Sequence, residues 1–117
     1  MMRSYVNAQV YLAVGVTDMR KSINTLALLV EEQMGRDPFS GSLFAFCNRK
    51  RDIVKVLYWD RNGFCLWEKR LEQERFRWPE SSEEVMGLTH RELGWLMDGL
   101  EISPRDAYGD LVFSRVN

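Results

Sequence analysis

The stretch Ile53 to Pro79, IVKVLYWDRNGFCLWEKRLEQERFRWP, constrains this chain more than any other. Two β-like runs flank Asn62-Gly63, and Asn-Gly is the strongest short-range hairpin signal because both residues tolerate the positive φ of a type I′ turn. Ile53 to Trp59 reads as one strand and Phe64 to Leu71 as its return. Phe76-Arg77-Trp78 reads as a short edge strand, where the following Pro79 is tolerated. With the loop at Asn62-Gly63, Lys55 lies opposite Arg70 and Val56 opposite Lys69. All but one of the tryptophans fall in this stretch, so core and working surface are expected to meet on it.

Around the hairpin the chain places two helices and two more strands. Gln9 to Val14 is a short apolar run with β-branched and aromatic members, read as a strand. Thr17 is placed as N-cap of a helix of about 17 residues, with Asp18 at its positive end. Met19, Ile23, Leu26, Ala27, Val30 and Met34 recur at helical spacing, and Gly35 is the stop. Ser42 to Cys47 is apolar at every second-residue phase, which fits a strand covered on both sides. Glu80 to Gly87 reads as an acidic linker. Thr89 with Glu92 then forms a capping box, and Leu88 and Leu93 a hydrophobic staple, ahead of a helix burying Leu93, Leu96, Met97 and Leu100.

The resulting fold class is α+β: an antiparallel β-meander of about four or five strands, packed by an N-terminal amphipathic helix and a C-terminal helix. Length allows a single domain, expected over residues 9–104, with 1–8 frayed and 105–117 a tail of open structure. No apolar run approaches the roughly 20 residues that span a bilayer, so a cytoplasmic protein is expected. Cys47 and Cys65 sit in apolar runs as small buried hydrophobes.

Catalytic chemistry finds little footing. His90, the one histidine, stands at the start of a capped helix with no nucleophile placed beside it. Zinc-ligand spacings and phosphate-cradling glycine loops are absent. A metal-dependent nuclease would need converging carboxylates. Asp52 and Asp60 lie at opposite ends of one strand, and Asp60 and Glu68 several rows apart, which leaves Asp18 without a known neighbour. The expectation is a non-enzyme with no cofactor and no metal.

Cations offer more. Residues 1–79 carry 13 Lys and Arg against 9 Asp and Glu, whereas 80–117 carry 3 against 8. In a meander, Arg49, Lys50 and Arg51 on one turn should meet Lys55, Lys69 and Arg70 at one end of the sheet. Arg20 and Lys21 add to the candidates at the helix start. Such a cluster can bind phosphates, and an aromatic such as Trp78 can stack on unpaired bases. Trp59 and Trp67 read as core. Trp95, off the buried stripe of its helix, is the other candidate partner contact.

Several blocks of this sequence together resemble one family. They are Val10-Tyr11-Leu12 with Gly15-Val16-Thr17-Asp18-Met19-Arg20-Lys21-Ser22, then Asp37-Pro38-Phe39-Ser40-Gly41 and Leu43-Phe44-Ala45-Phe46. They continue through Lys55-Val56-Leu57-Tyr58-Trp59-Asp60, Asn62-Gly63-Phe64, Leu66-Trp67 and Lys69-Arg70-Leu71, to Trp78-Pro79 and Leu96-Met97-Asp98-Gly99-Leu100. The set is similar to the small accessory protein, the second-frame product often called TnpB, of insertion-sequence 66 family transposons. The resemblance implies a bacterial mobile element, a DDE-type transposase as partner, and assistance to transposition without catalysis. DNA is the other partner expected, and a pure protein adaptor the alternative.

Overall fold

The computed structural model describes residues 8–102. The expectations for the first residues and for the tail from residue 105 lie outside the described residues, although Ala8 itself packs against the core. The elements in chain order are β1 (Val10–Val16), α1 (Ile23–Glu32), β2 (Leu43–Cys47), β3 (Ile53–Asp60), β4 (Gly63–Arg70), β5 (Val85–Leu88) and α2 (His90–Met97). The strands form one sheet in the order β4-β3-β2-β1-β5.

The fold is α+β, but the sheet is mixed where a purely antiparallel meander was expected. β1 and β2 pair in parallel, while β2–β3, β3–β4 and β1–β5 are antiparallel. The reason lies in the connection, because parallel neighbours need a long crossover and α1 supplies it.

β2 is the central strand, and all five of its residues are buried. Its alternation feeds two cores. Leu43, Ala45 and Cys47 face one side with Val54, Val56, Tyr58, Phe76, Trp78 and the α2 residues Leu93, Leu96 and Met97. Phe44 and Phe46 face the other side with Leu57 and the α1 residues Leu26 and Val30. Full burial of side chains of this size contributes about 1.5–3 kcal/mol each.

Helix ends follow local chemistry, with one correction. α1 begins after Ser22, not at Thr17. Thr17 is buried and its N–H donates to the Cys47 carbonyl at 2.9 Å, extending the β1–β2 ladder. Asp18 accepts from the Arg20 N–H and guanidinium in a tight turn, so strand pairing and this turn take the residues that would have capped a longer helix. Gly35, at φ 67°, ends the turn after α1, and the Arg36 N–H reaches back to the Val30 carbonyl at 3.0 Å. At α2 the capping box is present in full, with the Glu92 N–H on Thr89 Oγ1 at 3.1 Å and the Thr89 N–H on Glu92 Oε1 at 2.8 Å. Leu88 and Leu93 of the staple are both buried.

The hairpin exists, in a different register. Asp60 pairs with Gly63, so the two loop residues are Arg61 and Asn62, and Gly63 belongs to β4. Arg61, at φ 54°, takes the left-handed conformation expected of the Asn-Gly pair. Consequently Lys55 faces Glu68, Val54 faces Lys69, and Arg70 faces Ile53.

Two further assignments change. Phe76-Arg77-Trp78 is not a strand; it is an extended segment that buries Phe76 and Trp78. The end of the expected Glu80–Gly87 linker is not linker: with Leu88 it forms β5, Val85 to Leu88, which closes the free edge of β1. Opposite it the β1–β2 register slips between Leu12 and Val16, a bulge that lifts Ala13 to Gly15 out of the ladder with β2.

Candidate functional site

The parallel pairing decides which residues share an end of the sheet. Val16 lies beside Cys47, so the β1–α1 connection meets the β2–β3 turn. β4 returns to the same place: the Leu71 N–H donates to the Asp52 carbonyl at 2.8 Å, and the Phe76 N–H to that of Arg51 at 2.7 Å. Arg20, Lys21, Arg49, Lys50, Arg51, Lys69 and Arg70 are therefore gathered at one end.

Asn48 builds the β2–β3 turn. Its Oδ1 accepts from the Asp52 and Ile53 N–H groups, each at 3.0 Å, and its Nδ2 donates to Asp52 Oδ1 at 2.7 Å. That amide holds the Asp52 carboxyl below the usual carboxylate range. Arg51 completes the turn at φ 64°. Arg49 and Lys50 project from its tip, exposed and without an ion pair among the described residues.

Other cations of the expected cluster are already engaged. Lys55, with its side chain 13% exposed, donates to the Met19 carbonyl at 2.7 Å and stands 3.9 Å from Glu68. Lys69 donates to the Met97 carbonyl at 3.0 Å, on the other side of the sheet, where its charge suits the negative end of α2. Arg70 pairs with Glu72 at 3.3 Å. Arg20 is held by Asp18 at 2.7 Å, and this contact keeps the Asp18 carboxyl far below its ordinary value.

One cation escaped the sequence reading. Arg75 is exposed beside the tip, and its charge helps to depress Asp52. Only the anchoring of Phe76 to Arg51 brings it there, so no local pattern marks it.

The same end of the sheet has an acidic side. A cavity of about 550 Å³ opens between the bulged part of β1 and the segment Pro79–Glu84. Glu80, Glu83 and Glu84 line it together with Lys21 and Arg51. One Arg51 guanidinium nitrogen, Nη1, is buried with no hydrogen-bond partner among the described residues.

The aromatic candidates separate. Trp78 is buried and donates from Nε1 to the Ala13 carbonyl at 3.0 Å, so its ring offers no face to a base. Trp95 is 44% exposed. Trp67 packs on the edge of one core, while Trp59 joins Phe64 and Phe39 in a cluster with ring centroids 5.0–5.2 Å apart. His90 is half-buried, with a buried Nε2 that lacks a partner among the described residues. Among the described residues no three His, Cys, Asp or Glu side chains converge as a metal site, and no helix is long and apolar enough to cross a membrane.

Comparison with known proteins places the chain in context. The family model described as "IS66 Orf2 like protein" matches residues 8–107. The chain is 37% identical over 101 residues to the uncharacterized protein y4hO of Sinorhizobium fredii, covering 86% of this chain and 88% of that one. A second protein of the same organism, uncharacterized protein y4jC, is 29% identical over 93 residues, covering 80% of each. No solved structure matches.

Proposed function

The chain belongs to the IS66 Orf2-like family, and from that premise we propose that it assists transposition by binding, with the β2–β3 tip on the phosphate backbone of DNA. One observation carries this reading. Arg49 and Lys50 stand exposed, and unpaired among the described residues, on a turn that Asn48 makes rigid, with Arg75 beside them. Because the turn is already fixed, little backbone freedom is lost when these cations meet a phosphate, and each phosphate neutralised adds about 0.9 to the slope of log affinity against log salt. The partners are DNA and the DDE-type transposase of the same element, which supplies the strand chemistry; this chain contributes no catalytic group.

Fluorescence anisotropy with single- and double-stranded DNA across a salt series tests the proposal. Affinity should fall steeply with salt, and the Arg49→Ala/Lys50→Ala variant should show a slope shallower by about 2. Equal slopes for the two proteins would refute it.

A second reading, a pure protein adaptor, is favoured by Trp95 and Leu100, which are 44% and 53% exposed at the end of α2. An adaptor would hold the transposase in high salt and in the presence of nuclease, and would lose it on Trp95→Ala.

A further inference from the structure

Apart from the Asp18–Arg20 and Arg70–Glu72 pairs and the half-buried Lys21 and Arg51, the charges at this end of the sheet are segregated, and their layout is self-complementary. Across the order β4-β3-β2-β1-β5, the exposed cations Arg49, Lys50 and Arg75 lie over β2, β3 and β4. Glu83 and Glu84 lie beside β1 and β5, since the Glu84 carbonyl accepts from the Val14 N–H at 3.0 Å. The shapes match as well as the charges. The basic half ends in a projecting turn, whereas the acidic half opens into the cavity of about 550 Å³ with Glu80, Glu83 and Glu84 along one wall.

We infer that this end of the sheet associates with a second copy of the chain. A twofold axis normal to the sheet, passing near the ends of β1 and β2, turns one copy top to top with the other and exchanges their halves. Each tip then enters the other copy's cavity, so both contacts are the same contact, as an isologous interface requires. A twofold axis across the strands would instead set tip on tip, where like charges repel. Arg49 and Lys50 of each copy meet the glutamates of the other. Val16, 47% exposed at the end of β1, sits near the axis, where an apolar side chain loses contact with water. Because exposed ion pairs dominate, the association is salt-sensitive. DNA competes with it for the same tip.

Sedimentation of the full chain without DNA, at low and high salt, tests this. The expected result is a species of twice the chain mass at low salt that reverts to a single chain at high salt. Arg49→Glu/Lys50→Glu and Glu83→Lys/Glu84→Lys should each remain single at low salt. An equimolar mixture of the two variants should regain the doubled mass, because one contact of the mixed pair is native and the other has both charges reversed. A wild-type chain that stays single at low salt, or a mixture that stays single, overturns the proposal. The DNA reading is separable, since Glu83→Lys/Glu84→Lys should bind DNA at least as well as the wild type whichever way the sedimentation result falls.

Discussion

Trp78 donates its indole N–H to the carbonyl of Ala13 across 65 positions of sequence, at 3.0 Å. The bulge in β1 takes Ala13 out of the ladder with β2, and Trp78 supplies a hydrogen bond to its carbonyl inside the core. A buried carbonyl left without a partner costs about 1–3 kcal/mol. Trp78→Phe keeps most of the ring volume and removes the donor, so it should lower stability by about that amount in urea denaturation. DNA affinity should not change, because the ring is not at the surface.

Lys55 and Lys69 belong to the fold. Lys55→Met and Lys69→Met each delete a charged donor to a main-chain carbonyl. Each should cost about 1.5–3 kcal/mol in chemical denaturation while leaving the salt slope of DNA binding as in the wild type. A shallower slope in either variant would return that lysine to the interface.

The loop of the hairpin can be checked by paired substitutions. Gly63 lies in β4, and a Cβ built on it meets nothing within 4 Å. Gly63→Val should therefore be neutral or stabilise by up to about 1 kcal/mol. Arg61→Gly should relieve the left-handed residue and stabilise by about 0.5–1 kcal/mol. An Asn62-Gly63 loop would give the opposite result at Gly63, since valine resists positive φ.

Acid should act partly through the tip. The Asp52 carboxyl lies below its ordinary value of 3.8 because Asn48 donates to it, with the charge of Lys50 adding to the effect. A depressed carboxyl contributes stability that is complete above its unfolded value and is lost as pH falls through the lower folded value. Thermal melts should therefore show the wild type losing more stability below about pH 3.8 than Asp52→Asn does. Parallel curves would mean that the Asn48–Asp52 contact does not outlive exchange with water.

Thr89→Ala removes one arm of the capping box and should cost about 1 kcal/mol, read from the urea midpoint. Since α2 also holds the end of Lys69, the loss should spread into β4 and appear as faster amide exchange at Arg70.

Much of this protein was decided by short-range chemistry and is therefore legible in its sequence. The doubly apolar run Leu43–Cys47 fits a strand covered on both sides, and it is one. Thr89 with Glu92 announced α2, and the β-like runs on either side of Asn62-Gly63 announced the hairpin. The match to the IS66 Orf2-like family, over residues 8–107, spans all of these elements. Where a decision depended on distant partners, local signals misled. Thr17 resembles a cap but finds the Cys47 carbonyl, and Val85–Leu88 looks like linker until the free edge of β1 lies beside it. The cationic end shows the division most clearly. Residue type and turn position suffice to put Arg49 and Lys50 on a tip. Tertiary structure alone turns Lys55 and Lys69 inward to main-chain carbonyls, brings Arg75 to the tip, and sets an acidic wall beside it. A charge acts through the groups within a few ångströms of it, and those neighbours are fixed by strand order and register, which no single segment of the chain encodes.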